Sequence, residues 1–272
     1  MDSTSIAVLA LALVGTGAFS GFLAGLLGVG GGIVIVPTLF LVFDAFNVDP
    51  SIRMQVAVGT SLATIIPTSI MSARSHERKG AIDHALLRTM APPVFVGVVI
   101  GTVLAGIVSG HVLTAVFATV ALIVALNMGI GAGAFAIAHK LPGKAGIGAL
   151  GAVIGAVSAM MGIGGGTLTV PTLSLFSYPI HRAVGTASLL GLIISVPGAI
   201  GFMITGWGQP LLPPFCIGYV NWVGFLLIVP TSMLTAPLGA KTAHAISRQA
   251  LSRAFALFLA ITSVKLFLSL MR

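Results

Sequence analysis

Residues 28–39 read Gly28-Val-Gly-Gly-Gly-Ile-Val-Ile-Val-Pro-Thr-Leu39, and residues 162–173 read Gly162-Ile-Gly-Gly-Gly-Thr-Leu-Thr-Val-Pro-Thr-Leu173. The echo continues outward from these two stretches. Ala57-Val-Gly-Thr60 recurs as Ala183-Val-Gly-Thr186, and the spacing from Pro92 to Gly101 recurs from Pro230 to Gly239. Self-similarity at matching positions marks an internal duplication, dividing the chain into a first half, 1–138, and a second half, 145–272, joined by a linker at 139–144. In each half the apolar run after the glycines is short and carries a proline, Pro37 or Pro171. Both runs therefore read as broken or re-entrant helices.

The surroundings of these motifs are apolar. Of 272 residues, 57% are hydrophobic and 7% charged, and the mean hydropathy is +1.14, against the roughly 25% charge of a soluble domain. Val112 to Ala138 has no ionised residue and exceeds the roughly 20 residues that cross a bilayer as a helix. Loss of charge predicts ten apolar segments, near 5–27, 33–46, 54–73, 89–109, 112–138, 145–161, 167–178, 183–206, 217–239 and 250–271. The expected fold is an all-α polytopic membrane protein with about ten transmembrane segments, the second and seventh short. The thirty-five glycines fit that setting, where they let helices approach closely.

Charge orients the chain. The net charge of +8 comes from basic clusters between apolar runs, the pattern of the positive-inside rule, and not from a nucleic-acid-binding surface. Arg74, Arg78, Lys79 and Arg88 place the loop after the third span in the cytoplasm, whereas its counterpart, 206–221, carries no charge. The next pair is reversed: 109–111 is nearly bare, and its counterpart carries Lys241, Arg248 and Arg253. Equivalent loops facing opposite sides predict halves of inverted topology, as in secondary transporters, with the N-terminus outside and the linker cytoplasmic. No Lys or Arg precedes Arg53, so the first apolar run lacks the basic region of a cleavable signal and is expected to be retained.

The paired glycine motifs ending in Val-Pro-Thr-Leu and the paired Ala-Val-Gly-Thr stretches resemble the TauE/SafE sulfite exporter family, the TSUP anion permeases, over almost the whole chain. The resemblance implies a multi-pass bacterial inner-membrane transporter for a small sulfur-containing anion: sulfite, sulfoacetate or a related organosulfonate. The halves are not identical, since Thr60-Ser61-Leu62 aligns with Thr186-Ala187-Ser188 and the second hydroxyl is displaced by one position.

An oxyanion needs hydrogen-bond donors and a positive potential, but a bare Lys or Arg at the bilayer centre is costly. A helix that begins inside the membrane supplies both through unpaired N–H groups and the positive end of its dipole, and glycine lets the ligand come close. Gly30, Gly31 and Gly32 with Gly164, Gly165 and Gly166 are the first candidates, against a reading in which they only permit tight packing. Thr60, Ser61, Thr186 and Ser188 could add hydroxyl donors, or bond back to a carbonyl one turn earlier. Arg182 could attract anions at a cytoplasmic mouth, or simply anchor the topology.

The five acids, Asp2, Asp44, Asp49, Glu77 and Asp83, lie at termini or between spans, which argues against an intramembrane carboxylate relay. The six histidines, at 76, 84, 111, 139, 181 and 244, fall in predicted loops without metal-ligand spacing. No metal or cofactor is expected. The glycine motif is not followed by Lys-Ser/Thr, so it is no nucleotide-binding loop. An enzyme using Ser61 or Cys216 as nucleophile lacks a His or acidic partner by sequence. The reading is an alternating-access exporter, with an anion channel, an uptake permease for thiosulfate or another small organic anion, and a non-transporting scaffold as alternatives. The expected partners are the lipid bilayer and the substrate, with a homodimer left open.

Overall fold

Lipid offers the backbone no hydrogen-bond partners, so a chain crossing it must satisfy its own N–H and C=O groups, which uncharged runs of this length do by becoming helices. The computed structural model of the chain describes residues 3–27, 31–130, 138, 140–243 and 248–271. Among these stand ten helices: α1 (Ser3–Leu27), α2 (Gly32–Ala45), α3 (Pro50–Arg78), α4 (His84–Ile107), α5 (Gly110–Ile130), α6 (Lys144–Met161), α7 (Gly165–Ser174), α8 (Ile180–Thr205), α9 (Trp222–Ala243) and α10 (Arg248–Ser269). They match the ten expected segments in order and type. Eight are long and apolar enough to cross a membrane, so the chain is a multi-pass membrane protein.

The exceptions are the two short segments. At 14 and 10 residues and 1.5 Å per residue, α2 and α7 reach roughly 21 and 15 Å, short of a hydrocarbon core of about 30 Å. The expected ten crossings thus divide into eight full-length helices and two of partial length.

Glycine sets how the long helices pack. A Cβ on Gly17, Gly21 or Gly25 of α1 would collide in turn with Ile228, Ser232 and Ala236 of α9. Both sets advance by four residues, so the helices run in the same direction, backbone against backbone, along a seam of small residues. Gly97 and Gly101 of α4 meet Ala152 and Ala156 of α6, and Gly155 returns the contact against Val94. That pair is also parallel. At the far side Ser252 and Ser263 of α10 donate to the carbonyls of Met128 and Ala118 in α5, at 2.9 and 2.7 Å, so those two helices are antiparallel.

These contacts assign the helix ends. Gly110 abuts the carbonyls of Pro50 and Ser51, and Gly106 abuts Thr205, which gathers the start of α3, the ends of α4 and α8 and the start of α5. Gly185 abuts Ala81, which gathers the end of α3 and the starts of α4 and α8 at the opposite end. There stand Arg74, Arg78, Lys79, Arg88, Lys144, Arg182, Lys241 and Arg253. Arg53 is at the sparse end, buried, with its guanidinium paired to Asp44, donating to the Val48 carbonyl at 2.7 Å and lying over the Phe40 ring.

The span expected from 217 starts later. Cys216–Ile217 and Val220–Asn221 form a two-stranded hairpin before α9. Its turn needs Gly218, whose φ is +54° and whose Cβ would strike the backbone of Met203. The fifth span was expected to reach 138, but the described helix ends at Ile130, and the rest of that stretch lies outside the described residues except Ala138.

Filling a seam glycine should cost the 1–3 kcal/mol or more of overpacking. Gly21→Leu is therefore expected to lower the thermal midpoint of the detergent-solubilised protein by several degrees, about 2–4 °C per kcal/mol for a chain of this size. Gly15→Ala, where a Cβ meets nothing within 4 Å, should leave it unchanged or slightly raised.

Candidate functional site

The two short helices start beside each other. α6 ends at Gly162 in the left-handed conformation, φ +65°, where a Cβ would lie 2.8 Å from Val58 Cα. Only glycine suits both the conformation and the contact. The chain then passes through extended Gly164 into α7. A Cβ on Gly32, the first residue of α2, would lie 2.7 Å from the Gly162 oxygen and 2.9 Å from Ile163 Cα, so the start of α2 rests on the turn that leads into α7. Ile65, near the midpoint of α3, touches both glycine starts, at 2.7 Å from a Gly32 Cβ and 3.3 Å from a Gly164 Cβ. Neither start has a side-chain cap, and first-turn N–H groups have no partner within their own helix. Gly30 lies outside the described residues.

A cavity of about 590 Å³ reaches from these starts towards the basic end. Gly31, Gly164, Gly165, Gly166 and Ser188 line it, together with Ile65, Thr68, Ser69, Ser72, Ser75 and His76 of α3 and Ser232, Ala236 and Pro237 of α9. Among the described residues no Asp, Glu, Lys or Arg lines it. On the other side of the glycines, Gly162 packs on Val58, and Gly59 packs on the Tyr219 carbonyl.

The expected hydroxyls divide. Ser188 lines the cavity while donating to the Gly185 carbonyl at 2.6 Å, the back-bond of a helical serine. Ser61 is fully buried and donates to the Gly162 carbonyl at 2.7 Å, so it braces the turn before α7. Thr60 and Thr186, both 0% exposed, accept the N–H groups of Asn221 and Asp83 at 2.9 and 3.0 Å. None of these last three lines the cavity.

Those two threonine contacts are alike in a further respect. Asp83 caps α4 by accepting from Leu86 N–H at 2.9 Å, and Asn221 caps α9 by accepting from Gly224 N–H at 2.7 Å. Each cap is thus clasped to a threonine from the other half of the chain. At the basic end the clasp is larger: Tyr178 donates to Asp83 at 2.5 Å, and Arg182, 62% exposed, lies 4.0 Å from the same oxygen. The Tyr178 hydroxyl, the Leu86 N–H and Arg182 hold the Asp83 carboxyl below its usual range, while burial and Asp83 push Tyr178 up to about 12. Arg182 does not line the cavity; it stands at the clasp.

Cys216, set aside as a nucleophile by sequence, has its thiol pushed up to about 11 by burial, with the Asn221 amide donating to it at 3.3 Å. It is a protonated thiol at neutral pH, the unreactive form. Among the described residues no group of three His, Cys, Asp or Glu could hold a metal ion.

Sequence reasoning missed the polar face of α3. Thr68, Ser69, Ser72, Ser75 and His76 recur at steps of three and four, which is one face of a helix. That spacing was the available signal, but 74–88 was read as loop, whereas α3 continues to Arg78.

The family model of the sulfite exporter TauE/SafE matches residues 13–266. A probable membrane transporter protein of Haemophilus influenzae is 36% identical over 254 residues, covering 93% of this chain and 96% of that one. The probable membrane transporter protein YunE of Bacillus subtilis is 27% identical over 84% of this chain and 86% of its own, and a probable membrane transporter protein of Methanocaldococcus jannaschii is 25% identical over 86% of each. No solved structure matches.

Because Asp83 titrates below its usual range when folded, the clasp's contribution is complete above the ordinary carboxylate pKa and is lost as pH falls through the folded value. Tyr178→Phe is expected to lower the thermal midpoint at pH 7. Its difference from the parent should close on acidification through the carboxylate range, read from paired melting curves across pH.

Proposed function

The chain belongs to the sulfite exporter TauE/SafE family and is a membrane transporter, and from that premise we propose that it exports sulfite or a related sulfonate by alternating access. The observation that carries this reading is the cavity of about 590 Å³ that ends on both glycine-started helices and has no acid among its described lining residues. Each helix start contributes roughly half a positive charge and several unpaired N–H donors. An oxyanion at the cavity floor would meet two such starts, while a cation would meet no carboxylate.

In this scheme the remaining candidates take supporting roles. Gly31 and Gly164 border the floor, Gly165 and Gly166 extend it along α7, and Ser188 stands on its wall. Ser61 fixes the turn through Gly162. Thr60 and Thr186 act as posts for the two cap clasps, and Arg182 supplies positive potential beside one of them.

By the positive-inside rule the basic end is cytoplasmic, so the cavity corresponds to an inward-open state. We read the halves as inverted repeats. Supporting this are the duplicated motifs and the exchange of contacts: α1 runs parallel to α9 as α6 runs parallel to α4, and the Thr60–Asn221 clasp answers the Thr186–Asp83 clasp. Outward opening would then release packing around Val58 and Tyr219 while closing the side that holds Asp83. A dianion leaving the cytoplasm is also driven outward by an inside-negative potential, at about 2.3 kcal/mol per charge per 100 mV.

Gly31 and Gly164 make the cleanest test, because a Cβ at either meets only isoleucine side chains or another Cβ, none closer than 3.1 Å. Gly31→Val and Gly164→Val are expected to fold, yet to cut saturable sulfite counterflow in proteoliposomes about tenfold or more by crowding the amides, the loss that roughly 1.4 kcal/mol of binding produces. Full counterflow in both variants would remove the glycine starts from the site. Flux that never saturates in the parent would favour a channel.

A further inference from the structure

We propose that His76, with Ser72 and Ser75 on the same face of α3, forms a capture site for the oxyanion at the cytoplasmic mouth of the cavity, ahead of the glycine floor; the assignment rests on the transport reading above.

Among the described residues, His76 is the one lining the cavity that can carry a charge. Its imidazole donates an N–H when neutral and carries a positive charge when protonated. The adjacent acid, Glu77, is 3.2 Å from the His84 ring nitrogen and does not line the cavity.

The serines supply an independent argument. Hydroxyls on these helices usually bond back to a carbonyl one turn earlier, as Thr64 and Thr68 of the same helix do at 2.7 and 2.9 Å. Among the described residues Ser72 and Ser75 have no such partner, although both line the cavity. A hydroxyl left without a protein partner and turned to a cavity is a donor held for whatever occupies it. Three donors within about one turn on one face of a helix, one of them able to become cationic, suit an oxyanion with several acceptor atoms. An Arg or Lys in that position would hold the anion more firmly than a transit site should.

The test is sulfite counterflow in proteoliposomes containing the parent, H76A, H76Q, H76E and the S72A/S75A double variant, with thermal midpoints as folding controls. H76A is expected to raise KM about tenfold or more with kcat within about twofold, as removal of one hydrogen bond to a charged ligand predicts. H76Q, which keeps a neutral donor, should fall between parent and H76A, and H76E should raise KM further than H76A. The serine variant reads the same site without altering charge and should raise KM at least about twofold. Unchanged KM in H76A and S72A/S75A, or loss of kcat at constant KM, overturns the capture site and leaves the glycine floor standing. Absence of saturable sulfite transport by the parent overturns the transport reading, and this assignment with it.

Discussion

A backbone amide inside a membrane protein must find a partner within the protein or in something the protein holds. Eight helices meet that condition by running the full width of the bilayer, so their orphan groups emerge near water. α2 and α7 do not: each starts near the midpoint of α3, beside Ile65, without a side-chain cap. The arrangement around them serves to hold two uncapped starts together. Ser61 ties down the turn before α7, Val58 fits against Gly162, and the start of α2 rests on that turn. A site made of main chain has a practical advantage in lipid, since it presents positive potential without the cost of burying an ionised side chain.

The same chemistry explains how such starts can be kept rigid while the surrounding helices stay apolar. Without a hydrophobic drive between helices in lipid, association depends on close van der Waals contact, which small residues permit. The glycine seams of α1 on α9 and α4 on α6 set those helices at backbone contact. Each seam joins one half of the chain to the other. Cohesion between halves therefore depends on close backbone contact along surfaces of small residues, with polar ties at places such as the two threonine clasps.

Much of this was legible in the sequence because the signals are local. Loss of charge located the helices, and Pro37 and Pro171 behind glycine clusters marked the short ones. The place of Gly31 and Gly164–Gly166 at the starts of the short helices followed from the same motif. The roles of Thr60, Ser61 and Thr186 did not, because their partners Asn221, Gly162 and Asp83 are 161, 101 and 103 positions away and no local pattern announces a hydroxyl spent on a distant cap. His76 was misplaced for the opposite reason. Basic residues around it read as a loop, yet the helical spacing of Ser69, Ser72 and His76 was already present, and α3 carries that charge on its final turns.

The two clasps agree in shape and differ in chemistry. Both hang a helix cap from a buried threonine, but one cap is an aspartate attended by a tyrosine and an arginine, and the other is an asparagine beside a cysteine. Exchanging the halves would therefore not return the same molecule. One clasp carries ionisable groups that answer to acidity and salt, and the other is built on a neutral amide. Acid at the Asp83 end therefore loosens one helix cap and leaves the other untouched, so the two ends of the molecule answer differently to the same change in their surroundings.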